Sequence, residues 1–159
     1  MKAESAALTE DTDTNLTQSA DRLTPEQRSR NMRAVRSSGS AIEKLLREGL
    51  EERGLKFVVN ASSIYGKPDI AFPDLKIAVF CDSEFWHGFG WPESTRKIKS
   101  NREFWTTKIG RNMERDREVN RRLKKDGWKV LRFWGKNITK NTKSCVSIVE
   151  KTVSKRTER

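Results

Sequence analysis

The chain has 159 residues, enough for one domain with a real hydrophobic core. Charged side chains make up 35% of it and apolar ones 34%, and the formal net charge is +11. Apolar runs stay short of the ~18 residues that span a bilayer, and Met1–Ala20 lacks the apolar stretch of a secretion signal.

Residues 1–23 hold Lys2 and Arg22 against Glu4, Glu10, Asp11, Asp13 and Asp21, and are expected to form a disordered acidic tail. The remaining 31 basic and 17 acidic residues leave a net +14, which draws polyanions, nucleic acid first among them. The ordered part is read as one domain over 24–156, opening with a helix over 24–37. Thr24 and Gln27 make a T-x-x-Q capping box around Pro25, and Arg28, Arg30, Arg33 and Arg36 crowd that helix. A second helix follows in "SAIEKLLREGLEERG", with Ser40 as cap, Ile42, Leu45, Leu46 and Leu50 at helical spacing, and Gly54 as stop.

Three short strands are expected at 56–60, 68–73 and 76–81, the last two joined by a turn at 74–75. A loop spans 88–101, and a long helix runs over 102–126. Its stripe of Trp105, Ile109 and Met113 continues onto Asp116 and Asn120, so Asp116 needs a buried partner or a place in a site. "WKVLRFW" (128–134) is apolar on both faces and reads as a central strand. A last helix near 141–153 would share one face among Cys145, Ile148, Val149 and Thr152. The order α-α-β-β-β-α-β-α predicts an α/β fold with a mixed central sheet flanked by helices.

Chemistry concentrates in "GKPDI" and "VFCDSEFWHG". Asp69 opens one strand of the expected hairpin and Asp82 ends the next, so the two carboxylates can approach each other. Mg²⁺ takes one or two carboxylates plus water and phosphate oxygens, and such an ion assists phosphodiester hydrolysis. His87, the one histidine, is the candidate general acid or base. Glu43 has a structural alternative, since Ser40-x-x-Glu43 is itself a capping box. Phe85 and Trp86 are core residues by default, or base-stacking residues in a domain this basic. Cys81 and Cys145 do not suffice for a zinc site, and a reducing cytoplasmic setting fits them.

The segments "NMRAVRS…AIEK", "KPDI", "FWHG" and "FW…KI..N..RD…L…GW.V" resemble the very short patch repair (Vsr) endonucleases over residues 26–137. The resemblance implies a PD-(D/E)xK restriction-endonuclease-like core. It also implies Mg²⁺-dependent hydrolysis of one strand of double-stranded DNA beside a T·G mismatch, in repair and near the nucleoid. It makes Asp69 the metal-binding aspartate, gives the metal the main-chain oxygen of Cys81, and makes His87 catalytic, with Glu43 close by. Phe85, Trp86 and Trp105 would wedge into the base stack, and the first helix would clamp DNA through Arg28, Arg30 and Arg33.

Two departures stand out. The family's zinc ligands fall on Glu84, Phe89, Trp91 and Lys136, so no structural zinc is expected; the aromatics would fill the space and Glu84 would pair with Lys136. A second catalytic histidine is replaced by Asp82, which becomes a candidate catalytic group and metal ligand. The competing readings are a restriction-like or defence nuclease acting with a partner, a further repair-protein partner, and a catalytically weak DNA-binding module.

Overall fold

The computed structural model describes residues 24–27, 30 and 40–159. The chain divides into two units, Met1–Val35 and Arg36–Arg159. In the first, Pro25–Gln27 is helical, and the capping box forms: Thr24 N–H donates to Gln27 Oε1 at 2.9 Å and Gln27 N–H to Thr24 Oγ1 at 3.2 Å. Arg30 is helical and exposed; Arg28 and Arg33 lie outside the described residues.

The second unit begins with α1 (Ala41–Glu52). Ser40 caps it, accepting from Glu43 N–H at 3.4 Å and donating from its hydroxyl to the Glu43 carboxylate at 3.0 Å. Leu46 and Leu50 are fully buried, whereas Leu45, expected on the same face, stays 38% exposed. The inward stripe is thus Ile42–Leu46–Leu50, a strict i, i+4 row.

A four-stranded sheet follows in the order β1-β2-β3-β4. It comprises β1 (Val58–Val59), β2 (Ile70–Phe72), β3 (Ile77–Asp82) and β4 (Lys129–Trp134). The first three pair antiparallel, and β4 runs parallel to β3. A 3₁₀ turn at Pro73–Leu75 joins β2 to β3. The parallel step needs a crossover, which is α2 (Arg102–Lys125). β3, buried at every residue, lies between β2 and β4, whereas β4 is at the edge of the described sheet. The expectation for "WKVLRFW" is corrected here: β4 pairs with β3 alone among the described strands. Apolar residues on both faces report that helices cover both faces; they do not report a neighbour on both edges.

Alternation along β3 sorts the core into two layers. Ile77, Val79 and Cys81 face α1 and the C-terminal helices, with Leu46, Leu50, Phe133, Ile138 and Val149 around them. Ala78 and Phe80 face α2, against Val119 and Leu123. After β4 come α3 (Gly135–Lys140) and α4 (Thr142–Thr157), where one helix was expected. The short α3 offers Ile138 as its one large apolar side chain, too little for a readable period. In α4 the inward residues are Cys145, Val146 and Val149, while Ile148 is 45% exposed, one position off the expected face. The result is a mixed α/β layer fold whose sheet is flanked by helices, as its sequence pattern predicts.

Candidate active site

The site lies where β2 starts and β3 ends. Asp69, the residue before β2, accepts a 2.7 Å hydrogen bond from Cys81 N–H on the antiparallel partner strand. Pro68 before it is fully buried, so the backbone that carries the carboxylate is held firmly. Burial pushes the Asp69 carboxyl up; the Cys81 hydrogen bond opposes this, and the nearby charges of Glu43 and Asp82 push further, to about 6. Glu43 completes the α1 cap, and its charge also acts on Asp69. The Cys81 thiol is buried and pushed far up by desolvation, which keeps it a neutral core group.

Two residues along β3's alternation from Phe80, Asp82 points to the α2 layer and is 6% exposed. Arg132 of β4 answers it, its Nη1 donating to both carboxylate oxygens at 2.9 and 3.0 Å. His87 Nδ1 lies 2.6 Å from Asp116 Oδ2 and 3.6 Å from Asp82 Oδ1. Asp116 is the residue that interrupts the apolar stripe of α2, and its partner is the histidine. Burial draws the His87 imidazole down, but the Asp116 hydrogen bond and the two carboxylate charges outweigh it, so its pKa ends above the ordinary value. For Asp116 the sum is reversed: burial raises it, while His87 and Arg132 bring it below the usual carboxylate range.

Phe85, Trp86 and Trp105 gather into one edge-to-face cluster, with ring centroids 5.2 to 5.6 Å apart. The loop supplies the first two and the first turn of α2 the third. Phe104, 57% exposed, packs against Trp105 at 5.0 Å, and Lys108 Nζ stands 5.3 Å over the Trp86 ring. Exposed aromatics beside a cation form a face suited to stacking on bases. The loop backbone is tied to α2 by Asn112, whose side-chain amide donates to the Trp86 carbonyl at 3.2 Å.

Sequence reasoning named Asp69, Asp82, His87, Glu43 and the aromatic trio; the trio forms one cluster, His87 lies 3.6 Å from Asp82, and the charges of Glu43 and Asp82 act on Asp69. It gave no role to Arg132, Asn120, Phe104 or Lys108. One signal for Arg132 was available: a lone cation inside "KVLRFW", on the face that carries Val130. Arg30 sits in the other unit, and no relation to the site is described for it.

Glu84, Phe89 and Lys136 meet one another around the end of β4. Glu84 Oε1 accepts from Lys136 N–H at 2.6 Å, so the pairing uses the backbone amide and not the ammonium. Lys136 Nζ instead lies 3.9 Å over the Phe89 ring, which packs on Trp134 at 5.0 Å. Among the described residues no three His, Cys, Asp or Glu side chains gather as a metal site.

A mixed sheet flanked by helices, with a carboxylate at its rim, is consistent with the restriction-endonuclease-like class of nucleases. The family model described as DNA mismatch endonuclease Vsr matches residues 20–93. Relatives include the type II nicking enzyme V.NmeDIP of Neisseria meningitidis serogroup C, 49% identical over 133 residues, covering 84% of this chain and 90% of that one. The type II nicking enzyme V.HpaIIP of Haemophilus parainfluenzae is 44% identical over 137 residues, 86% and 97% of the two chains. The DNA mismatch endonuclease Vsr of Escherichia coli K12 is 41% identical over 108 residues, 67% and 68% of the two. The chain belongs to the Vsr family and is an endodeoxyribonuclease.

Proposed function

We propose that this endonuclease nicks one strand of duplex DNA at a T·G mismatch or a related lesion, with Mg²⁺ as its cofactor. The observation that carries the reading is the Asp69 carboxylate, held between the Cys81 amide and two further negative side chains and raised to about 6. His87 is the one charge that favours its ionised form, against burial and two like charges, and a divalent cation is the chemistry that would supply more. Asp69 and the Cys81 carbonyl oxygen are the groups that would hold it; Asp82, also a candidate ligand from the sequence, has both oxygens committed to Arg132. When bound, Mg²⁺ neutralises charge on the phosphate and lowers the pKa of water.

The remaining work falls to the chain's own side chains. His87 Nδ1 is committed to Asp116, which leaves Nε2 to give or take a proton at the reacting oxygen. Phe85, Trp86 and Trp105 would orient the duplex by stacking at the lesion, and the basic surface would hold its phosphates. Names of the relatives favour a single-strand break over a double-strand one.

The test is cleavage of matched, mismatched and base-modified duplexes, with each strand labelled separately. Mg²⁺-dependent nicking confined to mismatched duplex is expected, and Asp69→Asn should abolish it while duplex binding remains. A wild-type protein that cuts none of the panel with Mg²⁺ or Mn²⁺ would end this reading.

A further inference from the structure

Arg132 is the most heavily committed polar side chain of the site, yet it touches neither Asp69 nor the aromatic face. It stands on β4 opposite Phe80 of β3, with its guanidinium 4.2 Å over that ring. Nε donates to Asn120 Oδ1 at 2.8 Å, Nη1 to both oxygens of Asp82, and Nη2 lies 3.5 Å from Asp116 Oδ1. Three nitrogens thus meet partners on β3 and on two turns of α2.

Stability is a poor account of this arrangement. A buried ion pair is often no better for stability than apolar residues of the same volume, and Arg132 sits on the face that carries Val130. What an apolar side chain could not do is hold two carboxylates near each other. Asp82 and Asp116 are the two acids beside His87 Nδ1, at 3.6 and 2.6 Å. Without a cation between them they repel, and either can turn away from the imidazole.

We propose that Arg132 is a positioning residue for DNA cleavage: anchored by Asn120, it fixes Asp82 and Asp116 about His87 Nδ1 and so sets the direction of Nε2. This rests on the role given to His87 above. A planar guanidinium can serve three partners at fixed angles, whereas an ammonium cannot. Positioning of this kind acts on the chemical step and not on DNA binding, since Arg132 lies beneath the loop, 18% exposed.

The experiment compares wild type, Arg132→Lys and Asn120→Ala. Asn120→Ala removes one hydrogen bond and strands no buried charge, so it keeps the question open should the lysine variant fail to fold. Single-turnover and steady-state nicking of a T·G-mismatched duplex with Mg²⁺ are measured together with the imidazole NMR signals, which belong to His87 alone. The lysine variant should lose about 10- to 100-fold in kcat with KM unchanged, and the alanine variant less. The Nδ1–H signal of His87 should shift or broaden in both. Unchanged kcat and an unchanged ring signal in either folded variant overturn the proposal. Should the wild type cut no duplex, the nuclease reading of His87 falls with it; the ring signal still decides whether Arg132 sets the imidazole.

Discussion

Asp69 is held in a place that disfavours its own charge, and that tension can be measured. Its folded-state pKa of about 6 lies above the ordinary 3.8, so the folded protein binds this proton more tightly than the unfolded chain. The stability linked to that proton is present below about pH 3.8 and is lost as the pH rises through about 6. Asp69→Asn should therefore raise the melting temperature of the metal-free protein at pH 7.5, by the equivalent of about 1–3 kcal/mol, and leave it unchanged near pH 4. Added Mg²⁺ should stabilise the wild type more than the variant, because the ion offsets a charge that asparagine lacks. An asparagine variant less stable than wild type at pH 7.5, or equally stabilised by Mg²⁺, would contradict this account of the site.

At the scale of elements, the loop after β3 matters through what it is fastened to. Gly88 takes a left-handed backbone with φ of +73°, and a Cβ there would lie 2.4 Å from Met113 Sδ of α2. Gly88→Ala combines that backbone strain with overpacking, so it should cost about 1–3 kcal/mol of stability, measured by urea denaturation. It should also lower nicking, because His87 is the neighbouring residue. Trp86 tests the aromatic face: Trp86→Ala should weaken binding to a mismatched duplex by about 1–3 kcal/mol and affect matched duplex far less. Equal losses on the two duplexes would refute a wedge at the lesion. Glu84 fastens the loop to the next element: it accepts the Lys136 amide at the start of α3, and beside it Phe89 packs on Trp134.

For the whole molecule, charge is the governing term. A net +14 outside residues 1–23 attracts any duplex, and each phosphate contact releases a counterion. Affinity for matched DNA should fall linearly in a plot of log K against log salt, with the same slope for wild type and Trp86→Ala. A shallow slope, or one that Trp86→Ala changes, would mean that the aromatic face carries the non-specific binding as well.

Much of this was open to reading in one dimension, and the rest had physical reasons to be hidden. The amino-acid sequence by itself determined α1, α2 and β3, since each has a strong period or a continuous apolar run. It marked Asp69 and His87 as candidates because few residue types can hold a metal or exchange a proton near neutrality, and it flagged Asp116 because a carboxylate inside an apolar stripe must have a partner. The tertiary structure decided which strand is central, because edge and centre differ in hydrogen-bonding neighbours and not in side-chain polarity. It decided that Asp82 is gripped by Arg132, a pairing across 50 residues that no local pattern encodes. It decided too that Glu84 meets a backbone amide and not the Lys136 ammonium, since only the approach of β3's end to the start of α3 exposes that amide to it.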